Sequence, residues 1–256
     1  MNGSSERPVV IVTGGSAGIG LAIVERFADL DYQVISLARR RCPVDTVESV
    51  LVDLGNPEAV GSAIAEVQAR LDRLASPPGW GPPGQADTRP SPPPIHLVHN
   101  AAVMPTDSAL SVDPKMLDRT LHLNVTTPAQ INAALLPRMR PGSSIVFIGS
   151  TLSDKGVANR LSYVTSKHAL LGLMRATVQD LFGTGIHCLC VAPGFTDTAM
   201  LAPGLATPGF AEAVRGMVSF GRLLEPEEIA DIVVFATRTP AFNGSNLHAN
   251  LGQRER

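Results

Sequence analysis

The sequence predicts a three-layer α/β fold, with a doubly wound, mostly parallel sheet of seven strands and helices on both faces. Three observations predict it. Short apolar runs alternate with longer helical patterns along the chain, the arrangement that builds a parallel sheet covered on both sides. The first apolar run ends in a cluster of glycines that opens a helix. The chain has 256 residues, 44% hydrophobic and 17% charged, enough for one α/β domain with a core between its layers.

Taken in order, residues 8–12 (PVVIV) form a buried strand, and residues 18–30 form the helix after the glycine turn. Residues 33–37 (QVISL) make a second strand and residues 50–52 a short third. Residues 57–74 have helical spacing and begin with proline after Asn56, where the missing N–H is no loss. Residues 95–99 are a fourth strand, followed by helices across 114–139; residues 144–148 are a fifth strand and 161–182 a long helix. Residues 186–191 are a sixth strand, 226–236 another helix, and 245–249 a short edge strand. Residues 76–94 break the pattern: this proline- and glycine-rich stretch, which carries the only tryptophan, Trp80, cannot be a helix or an inner strand. It reads as an exposed insertion within a single domain spanning 1–256. A loop tethered by its aromatic ring is preferred there to a polyproline recognition segment.

Composition excludes several function classes. A net charge of −2 gives no electrostatic reason for nucleic acid or an anionic membrane surface as partner. No apolar run approaches the roughly 20 residues that a membrane span needs. Glu6 and Arg7 interrupt the apolar core a signal peptide would require, so a cytoplasmic protein is expected. The cysteines, Cys42, Cys188 and Cys190, are odd in number and read as free thiols. On a strand, Cys188 and Cys190 share a face. His187 stands beside them, but no second Cys/His pair follows at ligand spacing, so no metal is expected.

The first strand runs into Thr13-Gly14-Gly15-Ser16-Ala17-Gly18-Ile19-Gly20. A turn with positive φ, and a backbone that must touch a pyrophosphate, both require residues without Cβ. The helix that follows aims its free N–H groups and positive dipole end at the phosphates. The spacing of Gly14, Gly18 and Gly20 resembles the TGxxxGxG pattern of the short-chain dehydrogenase/reductase family, a Rossmann-fold family, and the resemblance continues down nearly the whole chain.

It implies a nicotinamide cofactor lying over Gly14, Ser16, Gly18, Ile19 and Gly20. The second strand ends in Ala38-Arg39-Arg40. Members of the family that prefer NAD carry an acid where Ala38 stands, and the fork of Arg39 suits a 2′-phosphate. NADP(H) is therefore favoured, with NAD(H) as the alternative and a solvated basic loop as the other reading of Arg39. Asp53, with Leu54, matches the family's aspartate over the adenine. The segment His99-Asn100-Ala101-Ala102 resembles the family's NNAG, with Ala102 replacing the last glycine. Pro193-Gly194-Phe195-Thr196-Asp197-Thr198 resembles its PG motif, which places Pro193, Gly194, Thr196 and Thr198 near the nicotinamide.

Tyr163 and Lys167 are four apart in a helical run and share a face. An ammonium beside a phenol favours the phenolate and should lower its pKa from about 10. Ser150 precedes Tyr163 at the family's usual separation, and Asn124 in LHLNVTTP matches the asparagine that bends its helix and supports a proton relay. The resemblance thus implies an NADP(H)-dependent oxidoreductase for a small carbonyl/alcohol substrate. In that role Ser150, Tyr163, Lys167 and Asn124 are catalytic, and Tyr163 and Lys167 also hold the cofactor. It implies a homodimer or homotetramer as well. Residues 199–222, rich in Gly, Ala and Pro with apolar Met217, Val218 and Phe220, read either as a substrate lid or as helices packed on the core. A nucleotide-binding sensor of the same fold is the reading from another class, and isomerase or dehydratase chemistry a third.

Overall fold

The computed structural model describes residues 7–74 and 93–254. The insertion read at 76–94, with Trp80, lies outside the described residues except for its last two prolines. The elements run β1 (Val9–Thr13), α1 (Gly18–Asp29), β2 (Gln33–Ala38), β3 (Glu48–Leu51), α2 (Pro57–Leu74), β4 (Ile95–His99), α3 (Pro114–Leu121), α4 (Thr127–Leu135), β5 (Ser144–Ile148), α5 (Leu161–Asp180), β6 (His187–Pro193), α6 (Ala202–Leu205), α7 (Phe210–Met217), α8 (Pro226–Thr237) and β7 (Asn246–Ala249). One sheet takes the order β3-β2-β1-β4-β5-β6-β7, and every pairing in it is parallel.

Strand periodicity decides where each apolar residue goes. Ile11 in β1, Leu97 in β4, Ile145 and Phe147 in β5, and Cys188 and Cys190 in β6 face one core, closed by residues of α2, α4 and α5 such as Val67, Leu135 and Met174. Their neighbours Val10, Val12, Val98, Val146, Leu189 and Val191 face the other, closed by Ile23, Val24 and Phe27 of α1 and Ile229 and Val233 of α8. Each inner strand therefore reads as a continuous apolar run, because helices cover both faces. All three cysteines are free and buried. His187 turns its Nε2 to the Ala236 carbonyl at 3.0 Å. Among the described residues no helix is long and apolar enough to cross a membrane.

Two stretches differ from the expectation. β3 begins at Glu48 rather than at residue 50, since an edge strand pairing only with β2 tolerates polar positions. The segment 114–139 is not evenly helical. A π-helical turn over His122–Thr126 separates α3 from α4, and a 3₁₀ turn over Leu136–Arg138 ends it. Within 199–222, read either as a lid or as helices packed on the core, lie the short helices α6 and α7.

Two histidines are sealed in the sheet. His96 meets the Ser144 hydroxyl at 2.8 Å, and His99 meets Asn132 Oδ1 at 2.7 Å while stacking on Phe147. Burial, followed by the cationic neighbours His187 and Arg238, lowers His96 from 6.5 to about 4; burial lowers His99 to about 4 against the pull of Asn132. Each ring thus binds a proton more readily when unfolded. The stability this confers is complete above the unfolded value and is lost as pH falls from 6.5 towards 4, by roughly 3 kcal/mol per histidine at the limit. Urea unfolding at pH 7 and pH 5 should show a loss of several kcal/mol. Equal midpoints would mean that the rings accept protons without opening the core.

Candidate active site

A cleft of about 960 Å³ runs across the carboxyl ends of the strands, with Gly14, Leu37, Asn100, Ile148 and Pro193 on its walls. The winding of the sheet reverses between β1 and β4, and an open α/β sheet leaves room for a ligand at such a switch point. A polar clamp sets the geometry there. Thr13 Oγ1 accepts from the backbone N–H of Asn100 at 2.9 Å and of Ala101 at 3.1 Å, while Asn100 Nδ2 donates to the carbonyls of Thr13 at 3.1 Å and Gly14 at 3.3 Å.

Gly14 (φ 73°) and Gly18 (φ 54°) take left-handed backbone. A Cβ on Gly14 would lie 2.9 Å from Asn100 Nδ2, and one on Gly18 would lie 3.3 Å from Thr198 Cγ2. Ser16, Ala17, Gly18 and Ile19 line the cleft, and no side chain caps the first turn of α1. Its N–H groups are therefore open to an anion, and a dinucleotide pyrophosphate fits this cradle. Gly20 does not line the cleft. Its task is packing, because a Cβ there would come within 2.2 Å of the Gly14 carbonyl oxygen.

Arg39 and Arg40, both exposed, stand on the rim beyond β2, across from Asp53 and Leu54. Asp53 Oδ1 accepts from Gly55 N at 3.0 Å, and the Leu54 carbonyl accepts from Thr127 Oγ1 at 2.9 Å. Arg119 of α3 joins this wall. Sequence reasoning missed it, for only the crossing of α3 over the sheet brings it there.

Ser150, Tyr163 and Lys167 come together deeper in the cleft. Ser150 caps a 3₁₀ turn over Thr151–Ser153, its hydroxyl accepting from Leu152 N at 3.1 Å. Lys167 is buried, donates to the Ile148 carbonyl at 2.7 Å, and holds its Nζ 5.5 Å from the centre of the Tyr163 ring. Burial lowers this ammonium to about 8, and the nearby Cys190 pulls the other way. Tyr163 departs from the expectation. Burial pushes the phenol up to about 12, and the opposing influence is a hydrogen bond with Ser150 rather than the charge of Lys167. Asn124 is buried in the π-helical turn and does not line the cleft. Its side chain accepts from Val103 N at 2.9 Å and donates to the Val103 carbonyl at 3.0 Å and Ser166 Oγ at 2.9 Å.

Beyond β6, Pro193, Gly194, Thr196 and Thr198 line the cleft, with Thr196 Oγ1 donating to the Gly194 carbonyl at 3.2 Å. Met200, Phe210 and Met217 cover its outer part, and Val214 is the buried residue of α7. The C-terminal residues Gln253 and Arg254 also reach the cleft. Their backbone explains how: Val218 bridges Gln253 antiparallel, and Arg254 N donates to the Met217 carbonyl at 2.8 Å. No residue spacing signals such a return of the tail.

Residues 95–253 match a family model described as enoyl-(acyl carrier protein) reductase, and residues 8–75 one described as short chain dehydrogenase. The chain belongs to the short-chain dehydrogenase/reductase family. It is 30% identical over 269 residues to protein FixR of Bradyrhizobium diazoefficiens, covering 97% of this chain and 87% of that relative. It is 31% identical over 233 residues to human dehydrogenase/reductase SDR family member 4, covering 89% and 80%. A solved structure of a putative NAD(P)-dependent gluconate 5-dehydrogenase from Beutenbergia cavernae with bound NADP superposes with a TM-score of 0.80 at 26% identity, covering 97% of each chain. This short-chain dehydrogenase/reductase is thus an oxidoreductase whose fold binds a nicotinamide cofactor.

Two glycines give opposite expectations for the same substitution. Gly20→Ala should destabilise the protein by about 1–3 kcal/mol or more, because the intruding methyl meets backbone. Gly61→Ala, inside α2 with nothing within 4 Å of its Cβ position, should stabilise by roughly 0.5–1 kcal/mol. Thermal unfolding of both variants checks the pair; a tolerated Gly20→Ala would show that the turn can shift away from α1.

Proposed function

We propose that this protein is an NADP(H)-dependent reductase of carbonyl compounds, with Tyr163 as the proton donor. The observation that carries the reading is the meeting of Ser150, Tyr163 and Lys167 on one cleft wall at the carboxyl ends of β5 and β6. The dinucleotide supplies or removes the hydride when bound. The protein's own groups handle the oxygen. The Ser150 hydroxyl donates a hydrogen bond to the substrate oxygen and steadies the negative charge that develops there. Tyr163 gives its proton to that oxygen during reduction and takes one from the alcohol in the reverse direction. Burial raises the phenol and keeps it protonated near neutrality, the form from which it can donate. Lys167 is fixed by the Ile148 carbonyl 5.5 Å from the centre of the Tyr163 ring; there it offsets the negative charge left when Tyr163 gives up its proton, and it would also hold the cofactor ribose. Asn124, through Ser166 and the loop at Val103, holds the α5 face in place.

The preference for NADP(H) over NAD(H) rests on Ala38, which leaves the end of β2 without an acid, and on the guanidinium groups of Arg39 and Arg40 at the rim. The roles of Asp53, Leu54, Asn100, Ala101, Pro193, Gly194, Thr196 and Thr198 in holding the cofactor belong to the same reading. Residues 199–222 serve as the lid, since α7 spends its one buried residue, Val214, and turns Phe210 and Met217 to the cleft. Assembly as a homodimer or homotetramer through α5 and the β7 edge completes the proposal. Free buried thiols suit the reducing cytoplasm.

Tyr163→Phe should lower turnover of a ketone or aldehyde roughly 10²–10⁴-fold while leaving cofactor affinity nearly unchanged. Steady-state kinetics with NADPH measures this, and a variant as active as the parent would remove Tyr163 from the chemistry. Arg39→Ala should weaken NADPH more than NADH, by roughly 1–3 kcal/mol for the lost charge-assisted contact. Titration by fluorescence reads the difference, and equal losses would make the arginine a bystander.

A further inference from the structure

The charges around the cleft are one-sided, although the chain as a whole carries −2. Among the described residues Asp53 is the single carboxylate on its walls, and it stands at the adenosine end beside Leu54 and Gly55. Arg39, Arg40 and Arg119 share that end and face the cofactor. Two further arginines have no such assignment. Arg160 is the N-cap of α5, three residues before Tyr163, and Arg254 is carried by the returning tail beside Met217. Both line the cleft, from different elements.

Neither is neutralised among the described residues. The Arg160 guanidinium donates to the Thr106 hydroxyl, which also lines the cleft, and to the Asn159 carbonyl. Asp107, which bridges Arg160 through the backbone, is buried and already accepts from Ser162 N at 3.1 Å and from the Ser162 hydroxyl. Among the described residues no carboxylate pairs with Arg254. Between them the tail adds a third group. Gln253 Oε1 is buried without a hydrogen-bond partner, close enough that a Cβ on Gly194 would lie 3.0 Å from it. A buried acceptor of this kind calls for a donor, and the cleft is the side from which one can arrive.

We propose that the substrate end of the cleft is built for a carbonyl compound that carries an anionic oxygen group, a carboxylate or a phosphate ester. Arg160 and Arg254 hold that group, and Gln253 accepts from a hydroxyl or amide N–H of the same molecule. The planar fork of an arginine matches either anion. Met104, Leu152, Val157, Met200 and Phe210 enclose the rest, so the body of the substrate is apolar and its charge is confined to one end. This inference rests on the carbonyl-reductase reading above.

The test pairs charged and neutral ketones: acetoacetate against methyl acetoacetate, levulinate against methyl levulinate, and dihydroxyacetone phosphate against dihydroxyacetone, each with NADPH. The charged member of at least one pair should have a kcat/KM at least tenfold higher, the pair identifying carboxylate or phosphate. Arg160→Ala and Arg254→Ala should each cut that charged-to-neutral ratio about tenfold, mainly through KM, with Arg254→Lys recovering part of it. A preference for the neutral member in every pair, or a ratio that neither variant moves, overturns the proposal. A second readout needs no turnover. With NADPH present to fill the phosphate cradle, malonate or inorganic phosphate should raise the Tm of the parent protein but not of the Arg160→Ala/Arg254→Ala double variant. If no ketone is reduced, the reductase reading fails and this shift alone decides: its absence from the parent, or its persistence in the double variant, sinks the anion site.

Discussion

The clamp between Thr13 and Asn100 holds the carboxyl ends of β1 and β4 at the point where the sheet reverses its winding. Parallel strands that wind outward from a reversal leave a gap at their ends, and something must stop the two neighbouring turns from spreading into it. Here the Thr13 hydroxyl receives two backbone N–H groups, and the Asn100 amide answers with bonds to two carbonyls. The contact leaves no volume to spare. Gly14 must be glycine because Asn100 occupies the place of its Cβ, and Gly20 must be glycine because α1 then crosses directly over the Gly14 carbonyl. The first turn of α1 stays uncapped because its N-cap, Ala17, has no side-chain acceptor, so its N–H groups remain open beside the clamp.

The Tyr163 end of the cleft depends on a second polar path, which runs through the interior. Asn124 reaches Ser166, and Ser166 donates to the Tyr163 carbonyl at 2.8 Å. The π-helical turn is what points Asn124 inward. An extra residue in the turn reorients the side chain, and such bulges are found mostly where a side chain has a task. Burial acts in opposite directions on the two residues this path positions. It favours the neutral form of each, raising the Tyr163 phenol and lowering the Lys167 ammonium. Only the Lys167 shift, down to about 8, brings a group towards neutrality; the Tyr163 phenol, at about 12, is carried away from it.

Much of this was legible in the residues. Strands that are apolar on both faces, such as VVIVT and SIVFI, leave little choice but a sheet covered by helices on each side. The glycine turn and the Ser150, Tyr163 and Lys167 spacing are local patterns, read without knowing what packs on them. What could not be read depends on contacts between segments far apart in sequence. Arg119 lines the cleft from α3, far in sequence from Arg39 and Asp53. Pro203 and Gly204 in α6, and Gly209 at the N-cap of α7, break the spacing that periodicity looks for, and Phe210 packs 3.0 Å from the Cβ position of Gly204. The Tyr163 shift went the other way from the charge argument, because proximity to a cation is visible in a spacing of four while the depth of burial is not.

The tail carries a strained corner of its own. Just past β7, Leu251 and Gly252 both take positive φ, 50° and 67°. For leucine that conformation costs on the order of 1 kcal/mol. Two things offset it. The Leu251 side chain packs against the core shared by α1 and α8, and its carbonyl accepts from Ser219 N at 3.2 Å and Ser219 Oγ at 3.0 Å. Gly252 could not follow suit, since a Cβ there would meet Ser219 Oγ at 2.5 Å. The strained corner reverses the chain after β7 and lays it along Met217–Ser219, which brings Gln253 and Arg254 to the mouth of the cleft. Backbone strain at position 251 is therefore tied to the makeup of the substrate end: relaxing the corner would withdraw the tail from α7 and take both side chains out of the site.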